Sequence, residues 1–303
     1  MEDIGISIVI RAKNEEKNVK KCLENIFKQK IDKKFEVIIV DNESTDNTLK
    51  TASQFPCKIV KISREEFTYP RAMNVGIRHS KGEYCVFISM DAYPANEKWL
   101  YYLLRRFSNP LVAAVYGRQI PISGLNPIEE TELLNGFSNY KPKEHGASSA
   151  NCAIRKDLLE KYPFIETHNR LEKRNKLAGE DGMWKMMIES KGYKTVYEPK
   201  SVVFHSHPLS MKYIKKRYGE YFNIGYILAY FGSLSFGTLE NTSLVGKIPK
   251  TIKNIKNGFL YLLEHNYYLY ILPYFIFRIT MLFRILYGYH IGKKDRKKVN
   301  KTT

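Results

Sequence analysis

Cysteine is scarce in this chain of 303 residues: there are four, Cys22, Cys57, Cys85 and Cys152. No two stand close together and no C-x-x-C pair occurs. That excludes a zinc ribbon and a disulfide framework, and it points to a reducing compartment. Glycine-rich phosphate loops are missing too. The place after the first strand, where a dinucleotide fold needs G-x-G-x-x-G, reads RAKNEEKN, and there is no Walker A sequence. The start, MEDIGISIVI, lacks the basic head, apolar core and small-residue cleavage site of a secretory signal, so a cytoplasmic location is expected. No internal repeat or low-complexity stretch is present.

Acidic residues are in short supply. Lys and Arg number 49 against 31 Asp and Glu, a formal net charge of +18. Such an excess suits a phosphorylated partner or an anionic membrane face, and no nucleic-acid-binding motif accompanies it. The C-terminal segment NYYLYILPYFIFRITMLFRILYGYHIGKKDRKK is very apolar and aromatic, but its longest uncharged run, Asn266 to Phe277, is shorter than a bilayer requires, and Arg278 and Arg284 interrupt the apolar residues beyond it. Its tyrosines and the basic tail from Lys293 to Lys301 fit a peripheral contact with the inner face of the membrane. A terminal helix packed on the protein's own body is the alternative.

What is present is a core and a rhythm. The hydrophobic share is 44%, enough for a sizeable interior. ISIVIRA (Ile6–Ala12), FEVIIVD (Phe35–Asp41), CKIVKIS (Cys57–Ser63) and EYCVFISMD (Glu83–Asp91) read as strands. Helical spacing comes after each of them: Val19, Cys22, Leu23, Ile26 and Phe27; a helix capped by Asp46; PRAMNVGIRHS, opening on proline; and ANEKWLYYLLRRF. This alternation predicts an α/β fold, a mostly parallel sheet with helices on both faces. The alternation stops after LVAAVYGRQIPI, where prolines and glycines mark a long connection. HNRLEKRNKLAGEDG (His168–Gly182) reads as a charged, mobile loop leading into a helix, and Pro199 divides KTVYEPKSVVFHSH into two short strands. The expected boundaries are a sheet domain at 1–207 and a helical, aromatic-rich C-terminal region at 208–303.

Ligands of an open parallel sheet bind beyond the carboxyl ends of its strands. There the chain carries Lys13, Asn14 and Glu15, then Asp41, Asn42, Glu43, Ser44 and Asp46, then Asp91. A strand apolar on both faces that ends on a carboxylate is costly unless the carboxylate is paired or holds a metal. Hard divalent cations prefer oxygen ligands. A cation at Asp91 neutralising a diphosphate, with Asp41 accepting from base or ribose, accounts for the pattern.

The motifs SIVIRAKNEE, VIIVDNESTDNT, RAMNVGIRHSKGEYCVFISMDA and GEDGMW together resemble the family 2 glycosyltransferases, which have the GT-A fold. FISMDAYPANEKWL, YGRQIP, SSANCAIR and YKTVYEPKSVVFHSH are most similar to the bacterial and archaeal branch described as rhamnosyltransferases. The resemblance spans about residues 4–225. It implies that Asp41, the backbone near Ala12 and the side chain of Glu15 line a nucleoside pocket, with Ser44 and Met90 nearby. Arg71 and Asn74 match the R-x-x-N-x-G positions that face the donor. Asp91 matches the last carboxylate of the D-x-D motif, whose first position here is Ser89. Asp181 matches the general base, and Glu180 stands beside it.

An inverting transfer needs one base to take the acceptor proton and charge stabilisation for the departing diphosphate. The expected cofactor is Mg2+ or Mn2+. The expected donor is a nucleoside-diphosphate sugar, with dTDP-rhamnose or a UDP-sugar as candidates, and the acceptor a glycan or polyprenyl-linked hydroxyl in cell-surface polysaccharide synthesis. His205 and His207 share one face of an extended chain; His207 is the favoured metal ligand and His205 the next. Two other functions compete: a sugar-nucleotide nucleotidyltransferase, and an inactive basic protein that binds membrane or nucleic acid. Trp99 and Trp184 read as core. His79, His145, His168, His265 and His290 read as surface or loop residues, and KKRYGEY (Lys215–Tyr221) as a cluster facing phosphates, lipid headgroups or solvent. Glu129 and Glu130 fall where acceptors approach, with no role assigned.

Overall fold

The computed structural model describes residues 4–136, 147–166, 180–230 and 248–299. His145, His168 and the charged segment 167–179 lie outside the described residues. In chain order the elements are β1 (Ile6–Ala12), α1 (Val19–Phe27), β2 (Phe35–Asp41), α2 (Thr48–Ala52), β3 (Cys57–Lys61), α3 (Tyr69–Arg78), β4 (Tyr84–Ser89), β5 (Ala92–Pro94), α4 (Trp99–Leu104), β6 (Val112–Ile120), α5 (Pro127–Gly136), β7 (Asn151–Arg155), α6 (Lys156–Lys161), α7 (Glu180–Ser190), β8 (Lys194–His205), α8 (Met211–Tyr230), α9 (Ile248–Glu264) and α10 (Ile271–Val299). They form two compact units. Residues 4–121, 147–166 and 180–206 make the first, and 122–136, 207–230 and 248–299 the second.

The first unit is one eight-stranded sheet in the order β3-β2-β1-β4-β7-β6-β8-β5. β1 lies parallel between β2 and β4, with Ile6 opposite both Phe35 and Tyr84, and β2 continues parallel to β3. Beyond β4 the sheet is mixed: β7 runs antiparallel to β4 and β6, β8 parallel to β6, and β5 antiparallel to β8. The chain leaves β1 in one direction for β2 and returns on its other side as β4. The carboxyl ends of β1 and β4 therefore flank a point where strand order reverses, the usual crevice of such sheets.

The strand composition explains the layers. Ile6, Ile8 and Ile10 face one way and pack on Val19, Cys22, Leu23 and Ile26 of α1 and on Trp99, Leu100 and Leu103 of α4. Val9, Ile38, Val40 and Phe87 face the other way, onto Ala72, Met73 and Ile77 of α3 and Trp184 and Ile188 of α7. Burial on both faces is why these strands read as unbroken apolar runs. Each such side chain contributes roughly 1.5–3 kcal/mol on leaving water.

Pro199 does not divide the strand that carries the two histidines. β8 continues through it, and its pairing with β6 slips between Glu198 and Val202. Proline lacks the ladder N–H, so it is accommodated at a bulge. Asn151 fills the interruption: its Nδ2 donates to the carbonyls of Arg118 (2.9 Å) and Ser201 (3.0 Å), and its Oδ1 accepts from Trp99 Nε1 (2.8 Å). The long connection after β6 also contains a helix, α5, whose start signals are present in the sequence. Asn126 Oδ1 accepts from the Glu129 N–H (3.2 Å), Pro127 opens the helix, and Glu129 and Glu130 occupy its first turn.

The second unit is helical. Ile128, Tyr213, Leu262, Tyr274, Phe277 and Met281 make its apolar core. Glu132 collects Arg217 (3.0 Å), Arg278 (3.3 Å) and the hydroxyls of Tyr213 and Tyr221. The Lys215–Tyr221 segment is thus not a uniformly solvated face. α8 and α10 touch backbone to backbone at Gly225 and Gly288, where a Cβ would strike the carbonyls of Ile285 and Phe222.

Candidate active site

The loops after β1 and β2 are laced together. The Asn42 N–H donates to the Ala12 carbonyl (3.0 Å), Asn14 N–H to Ser44 Oγ (2.9 Å), Glu15 N–H to Thr48 Oγ1 (2.7 Å) and Glu16 N–H to Asp46 Oδ2 (3.1 Å). Asn47, not Asp46, is the N-cap of α2; Asp46 Oδ1, one residue earlier, accepts from the Thr48 N–H (3.0 Å). Turn-forming Asn, Ser and Asp side chains supply this lacing, and Ser44 is occupied by it. Asp41, opposite Ala12 in the sheet, is different. It is fully buried, its Oδ2 accepts from the Ser44 N–H (3.0 Å), and its Oδ1 has no hydrogen-bond partner among the described residues. A buried carboxylate oxygen without a donor is costly.

Asp91 follows β4. Its Oδ1 lies 3.4 Å from His205 Nε2, and His205 Nδ1 lies 2.7 Å from Gln119 Oε1. The β5–β8 pairing, with Ala92 opposite His205, holds the two together. Met90 is buried in the core, so only its backbone is available to a ligand. Burial raises the Cys22 thiol far above its ordinary value, and the charges of Asp91 and Glu15 add to the effect. An oxygen and an imidazole nitrogen this close suit a divalent cation such as Mn2+ or Mg2+.

Asp181 lies in the first turn of α7, and its Oδ2 accepts from the Ser149 N–H (2.9 Å). Burial raises its carboxyl above the usual range. The Ser149 N–H and the Arg11 charge offset this only in part. Arg11 is the hub here: Nη1 lies 3.6 Å from Glu180, Nη2 donates to Ser149 Oγ (3.1 Å), and the guanidinium covers the Tyr69 ring at 4.8 Å. Glu180 is therefore turned to Arg11 as a buried counter-ion. Arg11 stands opposite Ser89 in the sheet.

Two expected donor-facing residues have other partners. Asn74 is buried and stitches α3 to the chain after α6: Nδ2 donates to the Phe164 carbonyl (2.8 Å) and Glu166 (2.9 Å), and Oδ1 accepts from the Phe164 N–H (3.1 Å). Arg71 pairs with Glu66 at 2.7 Å. His207 opens the second unit, where its Nδ1 lies 2.6 Å from Glu129 Oε1. Arg11, Ser149 and Gln119, which hold Glu180, Asp181 and His205 in place, lie within the quoted motifs but are not singled out by them. The available signal for Arg11 and Gln119 is a polar residue inside an apolar strand.

The sequence profile of glycosyl transferase family 2 matches residues 7–163. The chain belongs to this family. Among similar proteins, the O-antigen chain rhamnosyltransferase WbaN of Salmonella anatum is 28% identical over 205 residues, 63% of each chain. Glycosyltransferase AglE of Haloferax volcanii is 28% identical over 202 residues, 63% of this chain and 64% of its own. The alignments thus span a little under two thirds of these relatives. The mannosyltransferase PcManGT of Pyrobaculum calidifontis, solved with GDP-Man and Mn2+, superposes with a TM-score of 0.63 at 18% identity, covering 96% of this chain and 87% of that one. Staphylococcus aureus TarS with UDP gives a TM-score of 0.52 at 17% identity, over 97% and 92% of the two chains. The chain has the GT-A fold, and Asp41 and Asp91 follow β2 and β4, the strands that flank β1 at the open crevice of the sheet.

Proposed function

We propose that the chain transfers a sugar from a nucleoside-diphosphate sugar to an acceptor hydroxyl with inversion at the anomeric carbon. One observation carries the reading: Asp41, Asp91 and Asp181 come from three separate segments and stand along one carboxyl edge of the sheet. Asp41 Oδ1 accepts from the base or ribose, and Glu15 and the backbone at Ala12 and Met90 border the nucleoside. Asp91 and His205 would hold a divalent cation. The cation supplies positive charge that stabilises the departing diphosphate. Asp181 takes the acceptor proton while the acceptor oxygen forms its bond to the anomeric carbon. The carbon–oxygen bond to the diphosphate breaks, and the nucleoside diphosphate leaves with the electron pair.

The O-antigen rhamnosyltransferases among the relatives support dTDP-rhamnose as donor and a glycan or polyprenyl-linked acceptor. Nucleotidyl transfer fits less well, because the acidic RAKNEE loop offers no glycine- and lysine-rich cradle for a triphosphate. The experiment is nucleotide binding by calorimetry. Asp41→Ala is expected to weaken UDP or dTDP binding about 10- to 100-fold, the value of one or two hydrogen bonds to a charged group, in the presence or absence of Mn2+. Unchanged affinity for both nucleotides removes Asp41 from the pocket.

The second unit supports membrane contact. The helix spanning Tyr268–Lys297 is long and apolar enough to cross a bilayer, by length and composition alone. Counting uncharged runs underestimates it, because Arg278 turns to Glu132 and Arg284 covers the Tyr218 ring. Leu269 (90% exposed), Leu272, Ile276, Ile279 and Phe283 (67% exposed) recur at three- and four-residue steps and leave one apolar face outward. Lys293, Lys294, Arg296 and Lys297 come next. We place this face in the interfacial layer of an anionic membrane, with the helix lying along it. The protein is expected to float with phosphatidylglycerol vesicles, and the double change Ile276→Glu, Phe283→Glu to abolish flotation. Equal flotation of both proteins contradicts the assignment.

A further inference from the structure

We infer that Arg118 is a substrate-binding residue that takes a phosphate group on the side of the sheet carrying Asp181, with the acceptor as the source of that phosphate; the inference rests on the reading of Asp181 as the base that meets the acceptor. Arg118 lies near the carboxyl end of β6, opposite Val202 of β8. Successive side chains of a strand point to opposite faces. Gln119 faces His205, with Oε1 2.7 Å from Nδ1, so Arg118 faces the other way. Tyr116, two residues earlier, shares the face of Arg118. It packs with Trp184 and Ile188 of α7, and the Asp181 charge reaches its phenol. The Arg118 charge reaches Tyr197, which stands opposite Tyr116 on β8. Arg118 and Asp181 thus belong to one side of the sheet, and the His205–Gln119 pair to the other.

Other arginines of this unit are committed to the fold. Arg11 pairs with Glu180 at 3.6 Å, Arg105 and Arg106 pair with Glu198 at 2.8 and 2.6 Å, and Arg155 donates to the carbonyls of Val112 and Phe107. Arg118 differs. Among the described residues no carboxylate pairs with it, and its buried Nε has no hydrogen-bond partner. A guanidinium keeps its charge at every relevant pH, and a cation drawn partly out of water is costly without an acceptor. The residue is partly exposed, so a ligand can reach it. Its carbonyl accepts from Asn151 Nδ2 (2.9 Å), which fixes the backbone that presents the side chain. The planar fork of donors matches the oxygens of a phosphate. In a lipid-linked monosaccharide the phosphate stands one sugar ring from the reacting hydroxyl. A base and a guanidinium on one side of the sheet therefore suit the two ends of the same acceptor.

The test is calorimetric binding to the full chain, with farnesyl phosphate as the acceptor probe and UDP as the donor probe. Arg118→Gln is expected to weaken farnesyl phosphate about 10- to 100-fold, the value of one or two hydrogen bonds to a charged group, and to leave UDP unchanged. Arg118→Lys keeps the charge without the fork and is expected to lose less. Farnesol, which has no phosphate, is expected to distinguish none of the three proteins. If UDP loses that factor while uridine and farnesyl phosphate do not, the phosphate is the donor's and the acceptor assignment is overturned. If the variants bind both phosphates as the wild type does, Arg118 is no phosphate ligand and the inference falls. Because Arg118 has no side-chain partner in the fold, Arg118→Gln is expected to melt no lower than the wild type. A variant that fails to fold shows that the charge serves the structure, and overturns the inference as well. The reading of Asp181 fails separately, if Asp181→Asn transfers sugar at the wild-type rate.

Discussion

Asp181→Asn is expected to lower the rate of sugar transfer about 10²- to 10⁴-fold, the usual contribution of a positioned general base, and to leave nucleotide affinity unchanged. The asparagine keeps an oxygen to accept from the Ser149 N–H, so the local structure survives and only proton acceptance is lost. A pH profile adds a second signature. Because burial raises the Asp181 carboxyl, the base loses its proton only above the ordinary carboxylate range, and the acid limb of kcat/KM lies correspondingly high. The same shift affects stability. Between the unfolded value of about 3.9 and the raised folded value, the folded protein keeps a proton that the unfolded chain has released. Stability therefore falls as pH rises through that window and stays reduced at neutral pH. Asp181→Asn removes this cost, so the variant is expected to melt at a higher temperature than the wild type at pH 7 and to show no gain at pH 3. Calorimetric melts at the two pH values, beside transfer rates, check both halves.

Asp91→Ala is expected to lower transfer about 10³-fold, equivalent to about 4 kcal/mol of barrier, and to abolish the response to Mn2+ or Mg2+. The reasoning is electrostatic. Leaving-group charge develops on the diphosphate, and without Asp91 His205 loses the carboxylate that stands 3.4 Å from it. Binding of the nucleoside portion is expected to persist, because Asp41 holds it at the end of β2. The pair of variants therefore separates two losses: Asp41→Ala acts on nucleotide affinity with or without metal, and Asp91→Ala on metal-dependent rate. Rates measured across a Mn2+ series distinguish them. A variant at Asp91 that keeps full activation by Mn2+ places the cation elsewhere.

Much of this site is legible in the amino-acid sequence because parallel sheets expose their strand ends. FEVIIVD and EYCVFISMD announce both the strands and the acids that end them, and the alternation with helices places those acids on one edge. The partners that orient the acids are not legible in the same way. Arg11 meets Ser149 across 138 residues of chain, and Asn74 meets Phe164 across 90; no periodicity reports such pairings. The motif position of Asn74 does not announce its partners either, the Phe164 backbone on both sides of the amide and the Glu166 carboxylate. Pro199 shows a limit of propensity, because a bulge with Asn151 beneath it carries β8 through a residue that ordinarily ends strands. Glu129 has no role readable from the sequence, although Asn126, Pro127 and the acidic first turn spell a helix start. Its partner, His207, comes 78 residues later.

The most direct measurement is a crystal structure with Mn2+ and either UDP or dTDP, recorded at a wavelength where manganese scatters anomalously. The account predicts an anomalous peak within bonding distance of Asp91 and His205, the diphosphate beside that peak, and the nucleoside against Asp41 Oδ1, with open space in front of Asp181 for an acceptor. A nucleotide seated away from Asp41, or a manganese peak that does not touch Asp91, contradicts it.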